Sequence, residues 1–194
     1  MKKIIGILAI FFLSTSYCNA ASNGIYLGIQ GGYEHSDQDI GNRAQSLSYD
    51  TNFTVWGLSL GADLNSFLRT ELSYNHKNAK EDIFDFRNEY GELRPEDIKE
   101  KITQQTLLIN LFFYPFKNTS IRPFVGTGIG IGWVDVENLN NYHKFAYAGY
   151  LGLDYVISEH LVVNLMGTYN STGSYKYFAR NKNWGVTLGA RYYF

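Results

Sequence analysis

The residue types in this sequence that most often perform chemistry are its four histidines. A serine–histidine–acid site needs its three side chains within hydrogen-bond reach of one another. His35 adjoins Ser36 and Asp37, but consecutive residues of a strand point to opposite faces, so these three form no relay without a bend. The remaining histidines show neither an inward-facing serine partner nor metal-ligand spacing; they are His76, His143 and His160. We therefore expect no catalytic residues, no metal and no cofactor.

A run of alternate glycines is the second candidate for chemistry. A dinucleotide fingerprint G-x-G-x-x-G needs its third glycine five positions after the first. That position is Ile131 when counting starts at Gly126, and Trp133 when it starts at Gly128. The run therefore predicts no phosphate-binding loop. Glycine at every second position is better explained by one crowded face of a strand.

Composition narrows the class of protein. The 194 residues include 17 Lys plus Arg against 18 Asp plus Glu, a net charge of −1, so no nucleic-acid partner is expected. The charged share of 18% is below that of ordinary soluble domains, while 16% of residues are aromatic and 19 are glycine. Such a composition indicates a folded chain rich in strands and turns.

Residues 1–20 have the pattern of a cleaved secretory signal peptide. Two lysines precede the apolar stretch Ile4 to Leu13, and Cys18-Asn19-Ala20 offers small residues before a cleavage site. The stretch is too short for a membrane-spanning helix. A lipoprotein signal at Cys18 is the less favoured alternative, because Tyr17 stands where a small residue is wanted. The mature chain, 21–194, then lacks cysteine and must be stable without disulfides.

Eight segments alternate apolar with small or polar residues, as half-buried strands do. They cover residues 25–34, 55–64, 68–75, 104–114, 125–133, 150–155, 161–169 and 184–194. A soluble sandwich alternates too. The connections, however, alternate between short ones (65–67, 116–120 and 156–160) and longer ones near 36–50, 77–101, 137–144 and 171–183. Aromatic residues also lie at the ends of the apolar strand faces. Both features are typical of an all-β, eight-stranded antiparallel up-and-down transmembrane β-barrel.

Charged residues lie on the faces opposite the apolar ones, which a barrel places in its lumen. If 65–67 form a turn, Asp63 faces Arg69 inside the barrel as an opposite-charge pair. The predicted network near the short-turn end has three acids and three arginines: Asp63, Arg69, Glu71, Arg122, Asp154 and Arg191. A mutually paired network is expected, because buried charges need partners. The alternative is a scatter of solvated surface charges.

Two segments carry a family likeness. Arg122 to Trp133 resembles the fifth strand of small outer-membrane barrels of the OmpA/OmpX/opacity-protein superfamily, and Trp184 to Phe194 resembles their C-terminal assembly signal. The signal residues are Leu188, Ala190, Tyr192 and Phe194. The resemblance implies insertion by the barrel-assembly machinery into a Gram-negative outer membrane. It also implies periplasmic termini and extracellular loops.

The expected function lies in those loops. Eight strands leave an interior that side chains just fill, which predicts a plugged lumen. We expect a non-enzymatic structural or adhesin-type surface protein whose partners are outer-membrane lipid, lipopolysaccharide and a host or surface ligand. The candidate loop contacts are Phe84, Phe86, Tyr90, Tyr175, Tyr177 and Arg180. The alternatives are a narrow gated channel for ions or small solutes and, less favoured, a lipid A-modifying enzyme.

Overall fold

Eight strands make up the regular structure of the chain. The computed structural model describes residues 24–42, 45–82, 99–116, 119–136, 142–173 and 181–194. The strands are β1 (Ile25–Asn42), β2 (Gln45–Asp63), β3 (Leu68–Asp82), β4 (Lys99–Phe113), β5 (Ile121–Val136), β6 (Tyr142–Val156), β7 (Leu161–Thr172) and β8 (Asn181–Tyr193). Within these ranges no helix has the length and apolarity to cross a membrane.

The strands form one closed barrel in sequence order. Each pairs antiparallel with its neighbours, and β1 pairs with β8 to close the sheet, with Ile29 opposite Ala190. Closure leaves no unpaired edge strand, which is the requirement for a sheet in lipid. The predicted eight-stranded antiparallel barrel is confirmed.

Short turns connect the strands at the end of the barrel where Gly24 and Phe194 lie, which we call the turn end. In the β2–β3 turn the side-chain oxygen of Asn65 accepts hydrogen bonds from the backbone N–H groups of Phe67 and Leu68, both at 2.8 Å. Asparagine commonly closes turns in this way. In the β6–β7 turn Leu161 N–H donates to the hydroxyl of Ser158 at 3.1 Å. We call the opposite end the loop end.

The strands at the loop end are longer than the alternation predicted. β1 continues to Asn42 and β2 begins at Gln45, so most of the predicted loop 36–50 is paired backbone. The other three predicted loops, 77–101, 137–144 and 171–183, are likewise shortened by the ends of the flanking strands. Backbone pairing therefore continues past the last residues that alternate in the sequence. The predicted signal peptide lies outside the described residues.

The two faces of the barrel are inverted relative to a soluble protein. Large apolar side chains cover the outside, with exposures such as 64% for Ile29, 67% for Leu151 and 65% for Leu188. Charged and amide side chains fill the inside, where Arg69 is 1% exposed. An apolar outer band with a polar interior is the arrangement of a membrane barrel.

The alternate glycines make room inside the lumen. A Cβ on Gly126 would clash with the ring of Phe112, and one on Gly128 would clash with the side chain of Asn110. On the other side of the barrel, a Cβ on Gly61 would clash with the ring of Tyr26. The crowded-face interpretation of the glycine run is therefore confirmed.

Candidate functional site

The lumen near the turn end holds a group of paired charges centred on Asp154. Its Oδ2 accepts hydrogen bonds from Nη1 of Arg69 at 3.2 Å and from the hydroxyl of Tyr114 at 2.9 Å. Its Oδ1 pairs with Nη2 of Arg191. The carboxylate is 3% exposed and both arginines are 2% exposed or less. One buried acid thus pairs with two buried arginines. We call Arg69, Asp154, Arg191 and Tyr114 the arginine layer.

Aromatic rings surround the guanidinium of Arg69. Its carbon lies 4.6 Å from the ring centroid of Phe112, 4.8 Å from that of Tyr114 and 5.5 Å from that of Tyr26. A planar guanidinium is attracted to aromatic faces and carries less tightly held water than an ammonium. These rings therefore stabilise the cation in a place that water scarcely reaches.

Glu71 lies next to the arginine layer and has partners of its own. The hydroxyl of Tyr26 donates to Oε2 of Glu71 at 2.7 Å, and Nδ2 of Asn110 donates to Oε1 at 3.2 Å. The same amide nitrogen also reaches the hydroxyl of Ser73 at 2.8 Å. Charge-assisted hydrogen bonds of this kind are what a buried carboxylate needs.

The structure places the six predicted network residues unequally. Arg69, Asp154 and Arg191 are in direct contact across the lumen, and Glu71 is buried beside them. Asp63 is buried and lies opposite Arg69 in register, as predicted. The carboxylate that lies 3.2 Å from the guanidinium of Arg69, however, is that of Asp154, three strands away. Arg122 is opposite Asp154 in register, yet it is only half-buried, and its Nε donates to the carbonyl of Thr119 at 3.2 Å.

A second group of buried charges lies further toward the loop end. Nζ of Lys77 pairs with Glu34 and donates to Oδ1 of Asn170 at 2.6 Å. Glu34 also accepts hydrogen bonds from Nδ2 of Asn170 at 2.9 Å and from the hydroxyl of Thr168 at 3.2 Å. Lys77 is 2% exposed and Glu34 is 4% exposed. We call Lys77, Glu34, Asn170 and Thr168 the lysine layer.

The lysine layer was not predicted from the sequence. The predicted loop 77–101 begins at Lys77, whereas β3 continues to Asp82 and keeps this side chain inside. The signal was present in the spacing, because Lys77 shares its face with Arg69, Glu71 and Asn75, all at odd positions of β3. Apolar residues on the other face end earlier, which is why the strand seemed to stop.

The three histidines whose side chains the structure describes do not meet in the lumen. His35 and His76 lie on strands β1 and β3 with their rings against outward-facing tryptophans, and the ring of His160 lies at the turn end against Tyr192. The side chain of His143 lies outside the described residues. Among the described residues no three His, Cys, Asp or Glu side chains are grouped as metal ligands.

The predicted loop contacts lie outside the described ranges; they are Phe84, Phe86, Tyr90, Tyr175, Tyr177 and Arg180.

The C-terminal segment lies on the apolar outer surface. Leu188, Tyr192 and Phe194 are 65%, 52% and 71% exposed, and Ala190 shares their face. The backbone N–H of Phe194 donates to the carbonyl of Ile25 at 3.0 Å, which fixes the last residue to β1. Recognition of this segment by the assembly machinery stays a prediction, and the outer-membrane yield of a chain lacking Phe194 tests it.

Several solved structures have the same fold. Neisserial surface protein A aligns over 88% of this chain and 97% of its own, with a TM-score of 0.63 and 12% identity. The outer membrane protein AlkL aligns over 91% and 93%, with a TM-score of 0.55 and 15% identity. OprG from Pseudomonas aeruginosa aligns over 88% and 96%, with a TM-score of 0.52 and 17% identity. At these identities the likeness shows the fold alone.

Sequence comparison gives the family. No curated protein matches the chain. The family model for the outer membrane protein beta-barrel domain matches residues 5–194, nearly the whole sequence. Together with the closed barrel and its apolar outer band, this match places the protein in a Gram-negative outer membrane. The chain belongs to the family of outer-membrane β-barrel domain proteins.

Proposed function

We propose that this protein is a non-conducting, non-catalytic outer-membrane barrel that acts at the cell surface through the connections at its loop end. The observation that carries the proposal is the filled lumen. The largest side chains buried in the barrel are Arg69, Tyr26, Tyr114, Phe53, Lys77, Phe112, Phe124, Gln104, Asn110 and Asn183. The arginine and lysine layers close the interior at two successive depths, so the ends of the barrel are left to carry the function.

The lengths of the connections support an orientation. At the turn end three short turns join the strands, whereas the β3–β4 connection at the loop end spans 83–98. Membrane barrels of bacteria have short periplasmic turns and longer extracellular loops. We therefore place the loop end outside the cell and both termini in the periplasm, where the predicted signal peptide 1–20 would direct the chain.

The aromatic and basic residues of these connections are the candidates for contact with a host or surface ligand. In the β3–β4 connection they include Phe84, Phe86 and Tyr90, and between β7 and β8 they include Tyr177 and Arg180. Aromatic side chains and arginine are enriched at the centres of protein interfaces. A structural role in the membrane needs no such ligand.

Labelling of intact cells tests the surface display. Removal of the predicted signal leaves no cysteine, so single-cysteine variants report one site each. We expect a membrane-impermeant maleimide to label Asn88→Cys on intact cells. The matched variant Ser66→Cys, in the β2–β3 turn, should be labelled only after the outer membrane is opened. The reverse pattern would contradict the orientation, and no labelling of Asn88→Cys on intact cells would contradict display of that loop.

A gated channel is the second candidate, and the polar lining of the lumen favours it. The ion pairs of Lys77 with Glu34 and of Arg69 with Asp154 join side chains of different strands across the lumen. We expect the refolded chain to give no current steps in a planar bilayer, because both layers close the lumen. Reproducible current steps that change when Arg69 is replaced would overturn the non-conducting proposal and assign the charge layers a role in gating.

Hydrolysis or acyl transfer on purified lipid A would overturn the proposal that the protein is not an enzyme.

A further inference from the structure

The lysine layer brings an amine, a carboxylate and a primary amide into contact inside the barrel. Nζ of Lys77 pairs with Oε2 of Glu34 and donates to Oδ1 of Asn170 at 2.6 Å. Nδ2 of Asn170 donates to the same Oε2 at 2.9 Å. These contacts fix the orientation of the amide, because a flipped amide would point its NH2 group at the ammonium and its oxygen at the carboxylate. A nucleophile, an acid–base group and an electrophile therefore lie in one cluster.

The amine lies close to the carbon that it would attack. A C=O bond is about 1.2 Å long, so the amide carbon Cγ of Asn170 lies within about 3.8 Å of Nζ of Lys77. Reacting atoms held about 3–3.5 Å apart are in a near-attack geometry. Lys77, Glu34 and Asn170 lie on three different strands, and 43 to 136 positions of the chain separate them. Only the closed barrel brings them together, so folding must precede any reaction between them.

The amide carbonyl of Asn170 is polarised by a second donor. Nδ2 of Asn183 donates to its Oδ1 at 2.9 Å. When an amine attacks an amide, negative charge gathers on this oxygen, and a donor that is already in place stabilises that charge. The hydroxyl of Thr168 donates to the other carboxylate oxygen of Glu34, Oε1, at 3.2 Å. The carbonyl and the carboxylate are thus both oriented by side chains that take no part in making bonds.

Water has little access to this cluster, because Lys77, Glu34 and Asn170 are all buried. Exclusion of water slows the competing hydrolysis of the amide, and burial penalises the charged forms of the amine and the carboxylate. A cavity of about 20 Å³ borders on all three side chains. It has room for one molecule of the size of water. Ammonia, the leaving group of an attack on a primary amide, has a similar size.

We propose that Lys77 and Asn170 become joined by an intramolecular isopeptide bond, with Glu34 as the acid–base group. The carboxylate of Glu34 takes one proton from the ammonium of Lys77, which frees the electron pair of Nζ to form a bond to Cγ of Asn170. Glu34 then gives its proton to Nδ2 and takes a second proton from Nζ. The Cγ–Nδ2 bond breaks, and ammonia leaves with the electron pair of that bond. The products are a secondary amide, ammonia and a protonated Glu34, so the reaction needs no oxidant and no cofactor.

The bond ties β3 to β7 across the lumen. It joins residues 93 positions apart, and a covalent link of this kind restricts the unfolded chain as a disulfide does. It also closes the lumen at the lysine layer, whatever the loops bind. The ion pair of Lys77 with Glu34 is the form of the layer before the reaction, and a freshly refolded chain still carries it.

Mass spectrometry of the chain isolated from outer membranes tests the proposal. We expect its intact mass to be lower than the mass of the mature sequence by one ammonia. A tryptic digest should contain one joined peptide that holds both Lys77 and Asn170, because trypsin cannot cleave after an acylated lysine. Loss of ammonia by cyclisation at another asparagine joins no peptides, so the digest separates the two reactions. A chain expressed without residues 1–20 and kept unfolded in urea should have the full mass. Separate peptides of unmodified mass from the folded chain would overturn the proposal.

Variants assign the role of each group. Lys77→Arg keeps a buried cation but is a poor nucleophile, so the joined peptide should be absent. Glu34→Gln removes the acid–base group and should slow bond formation after refolding about 100-fold or more, whereas Lys182→Arg, on the outer face, should leave the rate unchanged. After boiling in SDS, the cross-linked chain should migrate faster than Lys77→Arg, because its unfolded form is more compact. If neither lumen variant folds, the digest of the unmodified chain decides alone. An unchanged rate in Glu34→Gln would overturn the role assigned to this carboxylate.

Discussion

Replacing Asp154 by asparagine is expected to lower the free energy of unfolding by about 3–5 kcal/mol, the cost of leaving buried charges without their partner. Asp154 is the acceptor for Arg69, Arg191 and Tyr114, and all of these side chains are buried. The neutral amide keeps the shape but leaves two guanidinium groups near each other without a carboxylate between them. Urea unfolding of the refolded chain in detergent, followed by tryptophan emission, measures the change.

Two further variants isolate the cause. Glu159→Gln removes a carboxylate from the exposed β6–β7 turn and should change the free energy of unfolding by less than about 0.5 kcal/mol. Adding Arg191→Met to Asp154→Asn should cost less than the sum of the two single changes, because one of the unpaired cations is then gone. A loss below about 1 kcal/mol in Asp154→Asn, or full additivity of the pair, would refute the central role of this carboxylate.

Replacing Lys77 by methionine should have an effect of similar size, a loss of about 3–5 kcal/mol, because the carboxylate of Glu34 stays buried without its cation. Methionine retains the bulk of the lysine stem, so the loss reports the charge rather than a cavity. Thr168 and Asn170 still donate to Glu34, yet neither carries a charge to balance it. The same urea titration measures the change.

A second substitution in the lysine layer, at Glu34, tests whether the lost stability comes from the unbalanced charge. With Lys77→Met in place, Glu34→Gln removes the unbalanced charge and should restore stability to within about 1–2 kcal/mol of the unmodified chain, since a buried ion pair often contributes little net stability. Lys182→Met serves as the matched control, because this lysine is exposed on the outer face. A double variant that is less stable than Lys77→Met alone would show that the lysine layer does not act as an ion pair.

Much of the fold could be predicted from the sequence because a strand has a period of two. Alternation alone separates Leu188 and Phe194, which face lipid, from Arg191, which faces the lumen. The same parity places Arg69, Glu71 and Lys77 on one inner face, although the predicted end of the strand hid the last of them. Strand number, facing direction and the short turns are local properties, so one sequence carries them.

The partners within the lumen were not predictable in the same way. The sequence predicted Arg69 to meet Asp63, its neighbour across a short turn, whereas the structure brings Arg69 to Asp154 on another side of the barrel. Lys77 meets Glu34 and Asn170 across the same interior. These contacts join residues 43 to 93 positions apart, and no local pattern encodes which of the inward side chains meet.

By itself, therefore, the sequence determined that this is an eight-stranded barrel with an apolar outside and a charged inside, because hydrophobic alternation specifies the face of every side chain. Only the tertiary structure decided that the charges form two layers and that His35 and His76 lie against outward-facing tryptophans. The physical reason is closure. The tilt and stagger of strands in a closed barrel set which residues of distant strands reach the same depth, and that depth fixes each partner.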